Sequence, residues 1–235
     1  MYNIERQDEI INILLKYGSI SVVKLAKALY VSPPTIRRDL TVLENHGKVL
    51  RTHGGVVLRK APESEIPLMY REDQNNSRKR LIAKRASEYV KDGAVIFLDA
   101  SSTAAHIVPY LEKFNDIIVV TNSPKTSMRL GEKNIKNYCT GGLLLAQSIA
   151  YVGSETEKFV SGINADIFFF SSRGYIDGEF VTDSSAEETA VKKVMLQNSE
   201  KRIYLCDSSK KNKKFMYNIC RVCELTAVIN DENDK

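Results

Sequence analysis

Apolar residues recur at three- and four-residue intervals through the first fifty positions and then give way to short runs. Ile10, Ile13, Leu14 and Tyr17 share one face of a helix that Gly18 stops. Ser21 is placed to cap a short second helix with Leu25, Ala26 and Leu29 turned inward. Ser32 caps a third, with Pro33 and Pro34 in its first turn, where the missing N–H groups have no intrahelical partner anyway. That helix runs to about residue 45 and stops at Gly47. Its apolar stripe is Ile36, Leu40 and Leu43; at about 100° per residue, Pro34, Arg37, Arg38, Thr41 and Asn45 fall on the opposite side. Two short β segments, 48–52 and 56–59, then flank His53-Gly54-Gly55, the pattern of a hairpin.

Residues 61–67 are polar and proline-punctuated. They open a junction set at 61–77, between a first domain at 1–60 and a second at 78–235. Overlapping that junction, a helical pattern runs from about residue 68 to 91, with Leu81, Ile82, Ala86, Tyr89 and Val90 inward. Its basic cluster Arg78-Lys79-Arg80 reads as a solvated face. Thereafter apolar runs at 94–98, 117–121, 166–170, 202–206 and 225–229 alternate with helical patterns at 103–113, 124–132, 154–162 and 184–198. Near-continuous apolar strands between helices predict an α/β fold with a doubly wound, mostly parallel sheet. Such sheets bind ligands at the carboxyl ends of their strands.

Charge sharpens the division. Residues 1–60 hold ten Lys/Arg against five Asp/Glu, and the remaining residues hold 24 of each, so the whole net charge of +5 lies in the first domain. This balance points to a polyanion as the first domain's partner. Helix, short helix, capped helix and basic hairpin make a winged helix-turn-helix. Its third helix would enter a major groove with Ser32, Pro34, Thr35, Arg37, Arg38 and Thr41, and its wing would lay Arg51 and His53 on phosphates. No apolar signal core or membrane span is present, so the chain reads as cytoplasmic and its four cysteines as reduced thiols. Cys220 and Cys223 have CxxC spacing but lack a second ligand pair, so no metal and no cofactor is expected.

Polar residues gather where the strands of the second domain end. Asp99, Ser101, Ser102 and Thr103 follow the first strand and open a helix; Asn122 and Ser123 follow the second; Thr140-Gly141-Gly142 and Asp207-Ser208-Ser209-Lys210 follow others. Hydroxyls, N–H groups and a lysine at these positions suit a phosphorylated or hydroxylated ligand.

The run Thr35-Ile36-Arg37-Arg38-Asp39-Leu40 and the wing Arg51-Thr52-His53-Gly54-Gly55 resemble the DNA-binding domain of the DeoR family of bacterial transcription regulators. The likeness continues through Asp99-Ala100-Ser101-Ser102-Thr103, Thr121-Asn122-Ser123, Gly141-Gly142, Glu187-Glu188 with Lys192, and Asp207 to Lys210. It implies a sensor domain similar in fold to ribose-5-phosphate isomerase. The implied function is a sequence-specific regulator of double-stranded operator DNA, a repressor of a sugar-utilisation operon, answering to a phosphorylated sugar or related anion and working as a dimer or tetramer. Glu187 and Lys192 join the effector residues on this resemblance alone. Two departures stand out: Ser101 replaces a loop glycine, and Arg173, in Ser171-Ser172-Arg173-Gly174, replaces an acid or amide. Arg173 is therefore a candidate clamp for a second anionic group. Two alternatives stay open: a sugar-phosphate isomerase-like enzyme built on Asp99, Asp177, Glu187 and Lys210, and a regulator with a vestigial pocket.

Overall fold

The computed structural model describes residues 3–45, 48–52, 55–58 and 68–232. The chain divides into two compact units, Met1–Ile66 and Pro67–Lys235.

The first unit holds helices α1 (Asn3–Tyr17), α2 (Val22–Ala28) and α3 (Pro33–Asn45), and strands β1 (Ser19–Ile20), β2 (Val49–Thr52) and β3 (Gly55–Leu58). The strands form an antiparallel sheet in the order β1-β3-β2. The two-residue β1 escapes the sequence pattern because it is too short to alternate. It is recorded instead in Gly55, where an added Cβ would lie 2.4 Å from the Ile20 carbonyl oxygen. Ser21 caps α2 through the Lys24 N–H, as its position predicts. Leu25, Ala26, Leu29, Ile36, Leu40 and Leu43 are buried as expected. In α1 the buried stripe is Ile10, Ile11 and Leu14, whereas Tyr17 is 61% exposed. The azimuth of Tyr17 is right, but the helix ends there and Gly18, at φ 73°, turns the chain away.

A polar contact ties the helices of this core together. The Arg6 guanidinium donates to both carboxylate oxygens of Asp39, at 2.6 and 3.1 Å, and the carboxylate is almost fully buried. It ties α1 to α3 at a point where the third helix turns its back on its exposed arginines.

The second unit begins with α4 (Leu68–Asp73) and α5 (Asn76–Ala86), followed by a turn of 3-10 helix at Ser87–Tyr89. The single long helix of the sequence pattern is thus broken, at Asn75 with φ 55°. The restart sets a new stripe of Lys79, Ile82, Ala83 and Ala86 at i, i+3, i+4 and i+7, so Leu81 lies off it and is partly exposed. Next come β4 (Val95–Leu98), α6 (Ser102–Ala105), α7 (Val108–Leu111), β5 (Ile118–Thr121), α8 (Pro124–Glu132) and β6 (Asn137–Cys139). A hairpin of β7 (Leu143–Leu145) and β8 (Ala150–Val152) leads into α9 (Ser154–Ser161) and β9 (Ala165–Phe170). Then follow β10 (Gly174–Tyr175), β11 (Phe180–Asp183), α10 (Ala186–Gln197), β12 (Ser199–Cys206), β13 (Tyr217–Arg221) and β14 (Ala227–Asn230).

Six of these strands form one wholly parallel sheet in the order β6-β5-β4-β9-β12-β14. Successive side chains take opposite faces. Ile96, Leu98, Ile167, Phe169, Ile203 and Leu205 join the core beside α5 to α8. Phe97, Phe168, Phe170, Tyr204 and Cys206 join the core beneath α9, α10 and the antiparallel sheet β10-β11-β13. Burial on both faces explains why the strands read as unbroken apolar runs. The strand order reverses between β4 and β9, which opens a crevice at their carboxyl ends.

The Arg6–Asp39 pair yields a stability test. Removing the guanidinium strands a buried carboxylate, so Arg6→Met should lower the stability of the first unit by about 3 kcal/mol. Arg38→Ala on the exposed face should change it by less than about 0.5 kcal/mol. Urea unfolding of the full chain, followed by circular dichroism, compares the two.

Candidate functional site

Two loci gather the candidate residues, one in each unit. In the first, Ser32 ends the turn before α3, and its hydroxyl accepts the Thr35 N–H at 3.4 Å and pairs with the Thr35 hydroxyl at 2.9 Å. Pro34, Arg37, Arg38 and Thr41 are all exposed on one side of α3, opposite the buried Ile36, Leu40 and Leu43. Thr41 donates to the Arg37 carbonyl, and Arg51 on β2 donates from its guanidinium to the Thr41 hydroxyl at 3.3 Å. The Arg51 N–H also reaches Glu44 at 3.1 Å. The wing strand is therefore stitched to the helix, and Arg51 stands over the same face as Arg37 and Arg38. His53 lies outside the described residues.

The second locus is the crevice between β4 and β9. Asp99 leaves β4 fully buried, and its carboxylate accepts the N–H and hydroxyl of Ser101 and the Ser171 N–H across the crevice at 3.2 Å. Burial pushes the Asp99 carboxyl up; Lys192 and these hydrogen bonds oppose it. Lys192, also buried, donates to Asp183 at 2.7 Å and stands 3.8 Å from both Asp99 and Glu188. Burial alone would lower its pKa, but the three carboxylates hold it well above the ordinary lysine value. For Asp183 burial acts upward, yet the Lys192 charge and hydrogen bond win and hold the carboxyl low.

Lys210 crosses the mouth. Its ammonium donates to Thr103 at 3.1 Å and to Ser171 at 2.5 Å, and lies 3.5 Å from Asp207. One side chain thereby joins α6 to the loops after β9 and β12. Arg173, on the β9 loop, is half-buried and within electrostatic reach of Asp183 and of Arg71 on α4.

Not every candidate comes to this crevice. Ser101 caps α6 through the Ala104 N–H, and the Ser102 carbonyl accepts from His106 Nδ1, with Nε2 against Asn76. Since α6 is a single turn, its dipole contributes little to anion binding. Ser123 is taken up as the cap of α8. Asn122 binds the Tyr151 backbone in both directions, at 2.9 and 2.7 Å, fixing the β7–β8 hairpin. Gly142 packs against α9, where a Cβ would meet the Thr156 hydroxyl at 2.2 Å. Glu187 is exposed and bonded to Ser185; the neighbour that faces Lys192 is Glu188.

Three participants escape the sequence reading. Asp183 ends β11, an acid at the close of an apolar run. Arg71 lies in the segment assigned to the junction. Lys79 was read as solvated but is 3% exposed, with its ammonium on the Arg71 carbonyl. A lysine at the head of the stripe Ile82, Ala83, Ala86 was the legible signal. Away from the crevice, Cys220 is buried and Cys223 exposed, both as free thiols. Among the described residues no helix is long and apolar enough to cross a membrane.

Comparison with known proteins follows the same division. Residues 6–61 match the DeoR-like helix-turn-helix domain, and residues 74–232 match the DeoR C terminal sensor domain. An uncharacterized HTH-type transcriptional regulator of Bacillus subtilis, YulB, is 36% identical over 97% of this chain and 88% of its own length. The lactose phosphotransferase system repressor of Staphylococcus epidermidis is 31% identical over 100% and 94%. The L-fucose operon activator of Escherichia coli is 33% identical over 97% and 94%. Among solved structures, eIF2B delta of Chaetomium thermophilum overlaps 69% of this chain and 58% of its own, with TM-score 0.52 and 14% identity, a likeness of fold alone. Ribose 5-phosphate isomerase A of Methanocaldococcus jannaschii overlaps 59% and 55%, with TM-score 0.44 and 21% identity.

The buried Lys79 gives a pH test. Burial first, then Lys210 and Arg71, lower its pKa to about 8 from the ordinary 10.5, against the pull of Asp207 and Glu72. Below about 8 the folded chain bears the whole penalty of the buried charge. Between about 8 and 10.5 Lys79 holds its proton in the unfolded chain and loses it in the folded one, so its own contribution to stability rises with pH there. At about 1.4 kcal/mol per unit, the gain reaches up to about 3 kcal/mol. Urea unfolding at pH 7.5 and 10 should show Lys79→Met lacking that rise relative to wild type.

Proposed function

The chain belongs to the DeoR family of transcription regulators, and we propose that α3 reads operator DNA while the crevice binds a phosphorylated sugar that sets the DNA affinity. The observation that carries the effector half is Lys210, held by Thr103 and Ser171 across the carboxyl ends of β4 and β9. A phosphate ester entering there meets an ammonium whose donors can be redirected, two hydroxyls and the Arg173 guanidinium. Lys192 contributes differently. Its charge is already shared among Asp99, Asp183 and Glu188, so it shapes the floor of the crevice and Lys210 and Arg173 face the ligand. The relatives named for the lactose phosphotransferase system and the L-fucose operon support a sugar-utilisation operon as the target.

On the DNA side, Arg37 and Arg38 present guanidiniums to base edges, and Arg51, Ser32 and Thr41 position the helix against phosphates. A single winged unit covers a short half-site, so the regulator works as a dimer or tetramer in the cytoplasm, pairing half-sites. An isomerase needs a base able to accept a proton from carbon. The carboxylates here are occupied instead: Asp99 by Ser101 and Ser171, and Asp183 by Lys192.

Two measurements test this reading. Each arginine that makes a bidentate guanine contact is worth about 1–3 kcal/mol, so an Arg37→Ala/Arg38→Ala chain should lose about tenfold or more in operator affinity while keeping its melting temperature. Undiminished affinity would remove α3 from the interface. In a thermal-shift screen against pentose and hexose phosphates, at least one ester should raise the wild-type melting temperature, and Lys210→Ala should abolish that shift. A screen in which no ester stabilises the wild-type chain contradicts the effector assignment.

A further inference from the structure

The turn between α2 and α3 holds a residue that its backbone does not suit. Helix α2 ends with the Tyr30 N–H on the Lys27 carbonyl at 3.4 Å and the Val31 N–H on the Ala26 carbonyl at 3.0 Å. That pair of bonds puts Tyr30 in the left-handed region, at φ 55°. Glycine is the usual occupant of such a place, because a Cβ there crowds the following carbonyl oxygen. Six non-glycine residues among those described take a positive φ, and four of them are Asn or Asp, whose short polar side chains bear it best. The other two are Ile149 and Tyr30. Ile149 is half-buried, so contacts within the fold can offset its strain, whereas Tyr30 is 95% exposed.

A large aromatic side chain held at a strained position and turned to solvent gains nothing for the free chain, and strain of this kind gathers at functional sites. The place of Tyr30 in the fold supplies a use. It stands two residues before Ser32, whose hydroxyl accepts the Thr35 N–H at the start of α3. When the second helix of such a motif crosses the DNA backbone and the third enters the major groove by its N-terminal end, the turn between them comes to the edge of the groove, beside the phosphates. Lys24 and Lys27 are exposed on α2, so the helix that ends at Tyr30 already carries cations outward. Tyrosine fits that surroundings: its ring can cover a sugar, and its hydroxyl is a neutral donor for a phosphate oxygen. The next residue, Val31, is half-buried and tied by its N–H, so the turn is fixed before DNA arrives.

We propose that Tyr30 is a DNA-backbone contact, its ring over a deoxyribose and its hydroxyl on a phosphate at the edge of the half-site that α3 reads. The proposal rests on reading α3 as the DNA-facing helix, and adds a residue from outside that helix and the wing. It also separates this contact from those of the arginines. Counterion release counts the cations a protein brings to the backbone, and Tyr30 brings none. Its loss therefore weakens binding by the same factor at every salt concentration, and stability moves the other way, because glycine relieves the turn.

The test compares full-length variants on a duplex selected by the wild-type chain from a random pool. Tyr30→Phe keeps the ring and the strain; it should melt as wild type does and bind about fivefold to tenfold more weakly, the scale of one hydrogen bond to a charged group. Tyr30→Gly should melt at or above the wild-type temperature, since the side chain has almost no contact to lose, and should bind at least as weakly as Tyr30→Phe. The slope of log affinity against log salt should match wild type for both. Hydroxyl-radical footprints with Tyr30→Gly should lose protection at one group of sugars on the edge of each half-site and keep the rest. If Tyr30→Gly does not fold, Tyr30→Asn takes its place. Either variant binding as wild type does overturns the proposal. So does a loss that comes with a changed oligomeric state in light scattering, which would assign the ring to a contact between protein surfaces. If Arg37→Ala/Arg38→Ala loses affinity and Tyr30→Gly does not, this inference alone falls; if neither loses it, the reading of α3 falls as well.

Discussion

A lysine with almost no access to water, surrounded by three carboxylates, sets the terms for the whole sensor unit. Lys192 on α10 reaches Asp183 at the end of β11, Asp99 at the end of β4 and Glu188 one turn back along its own helix. Removing Lys192 would leave buried carboxylates without their cation, where charges are expensive, so its ammonium ties α10 to the ends of β11 and β4. Asp99 in turn fixes the turn at Ser101 and the start of the β9 loop at Ser171. Lys210 takes its position from that same loop and from Thr103. The floor of the crevice is thus shaped by opposed charges, while the Lys210 ammonium lies across its mouth.

The first unit follows the same logic on a smaller scale. The buried Asp39, held by a partly buried Arg6, fixes the back of α3, and exposed arginines occupy its front. Neighbouring residues in the run Arg37-Arg38-Asp39 divide between the two tasks, because adjacent positions on a helix face different ways. In both units a charged pair or cluster holds the scaffold while other charged residues stand further out.

Much of this was legible beforehand. Period-3.6 stripes located α2 and α3 with their buried faces, and unbroken apolar runs located five strands of the parallel sheet, because burial on both sides leaves no polar alternation to misread. Short elements were not: β1, β7, β8 and β10 carry two or three residues each, too few to show a period. The break at Asn75 was hidden because a left-handed asparagine looks, in sequence, like any polar helix residue. Candidate residues divide the same way. A serine after a strand caps the next helix as readily as it binds a ligand, and Ser123 does the former. Asp183 and Arg71 went unread because they meet Lys192 and Arg173 only through the tertiary fold, Asp183 from β11 and Arg71 from the start of the second unit.

On the proposed reading, the crevice at the β4–β9 reversal holds the phosphate of a sugar phosphate against cations brought there by separate loops. A crystal structure of the full chain with an ester that stabilises it would show where that phosphate sits. The phosphate should lie within hydrogen-bonding distance of Lys210 and Arg173, with the Lys192–Asp183 contact intact beneath it. A phosphate bound elsewhere on the second unit, with Lys210 still on Thr103 and Ser171, would contradict it.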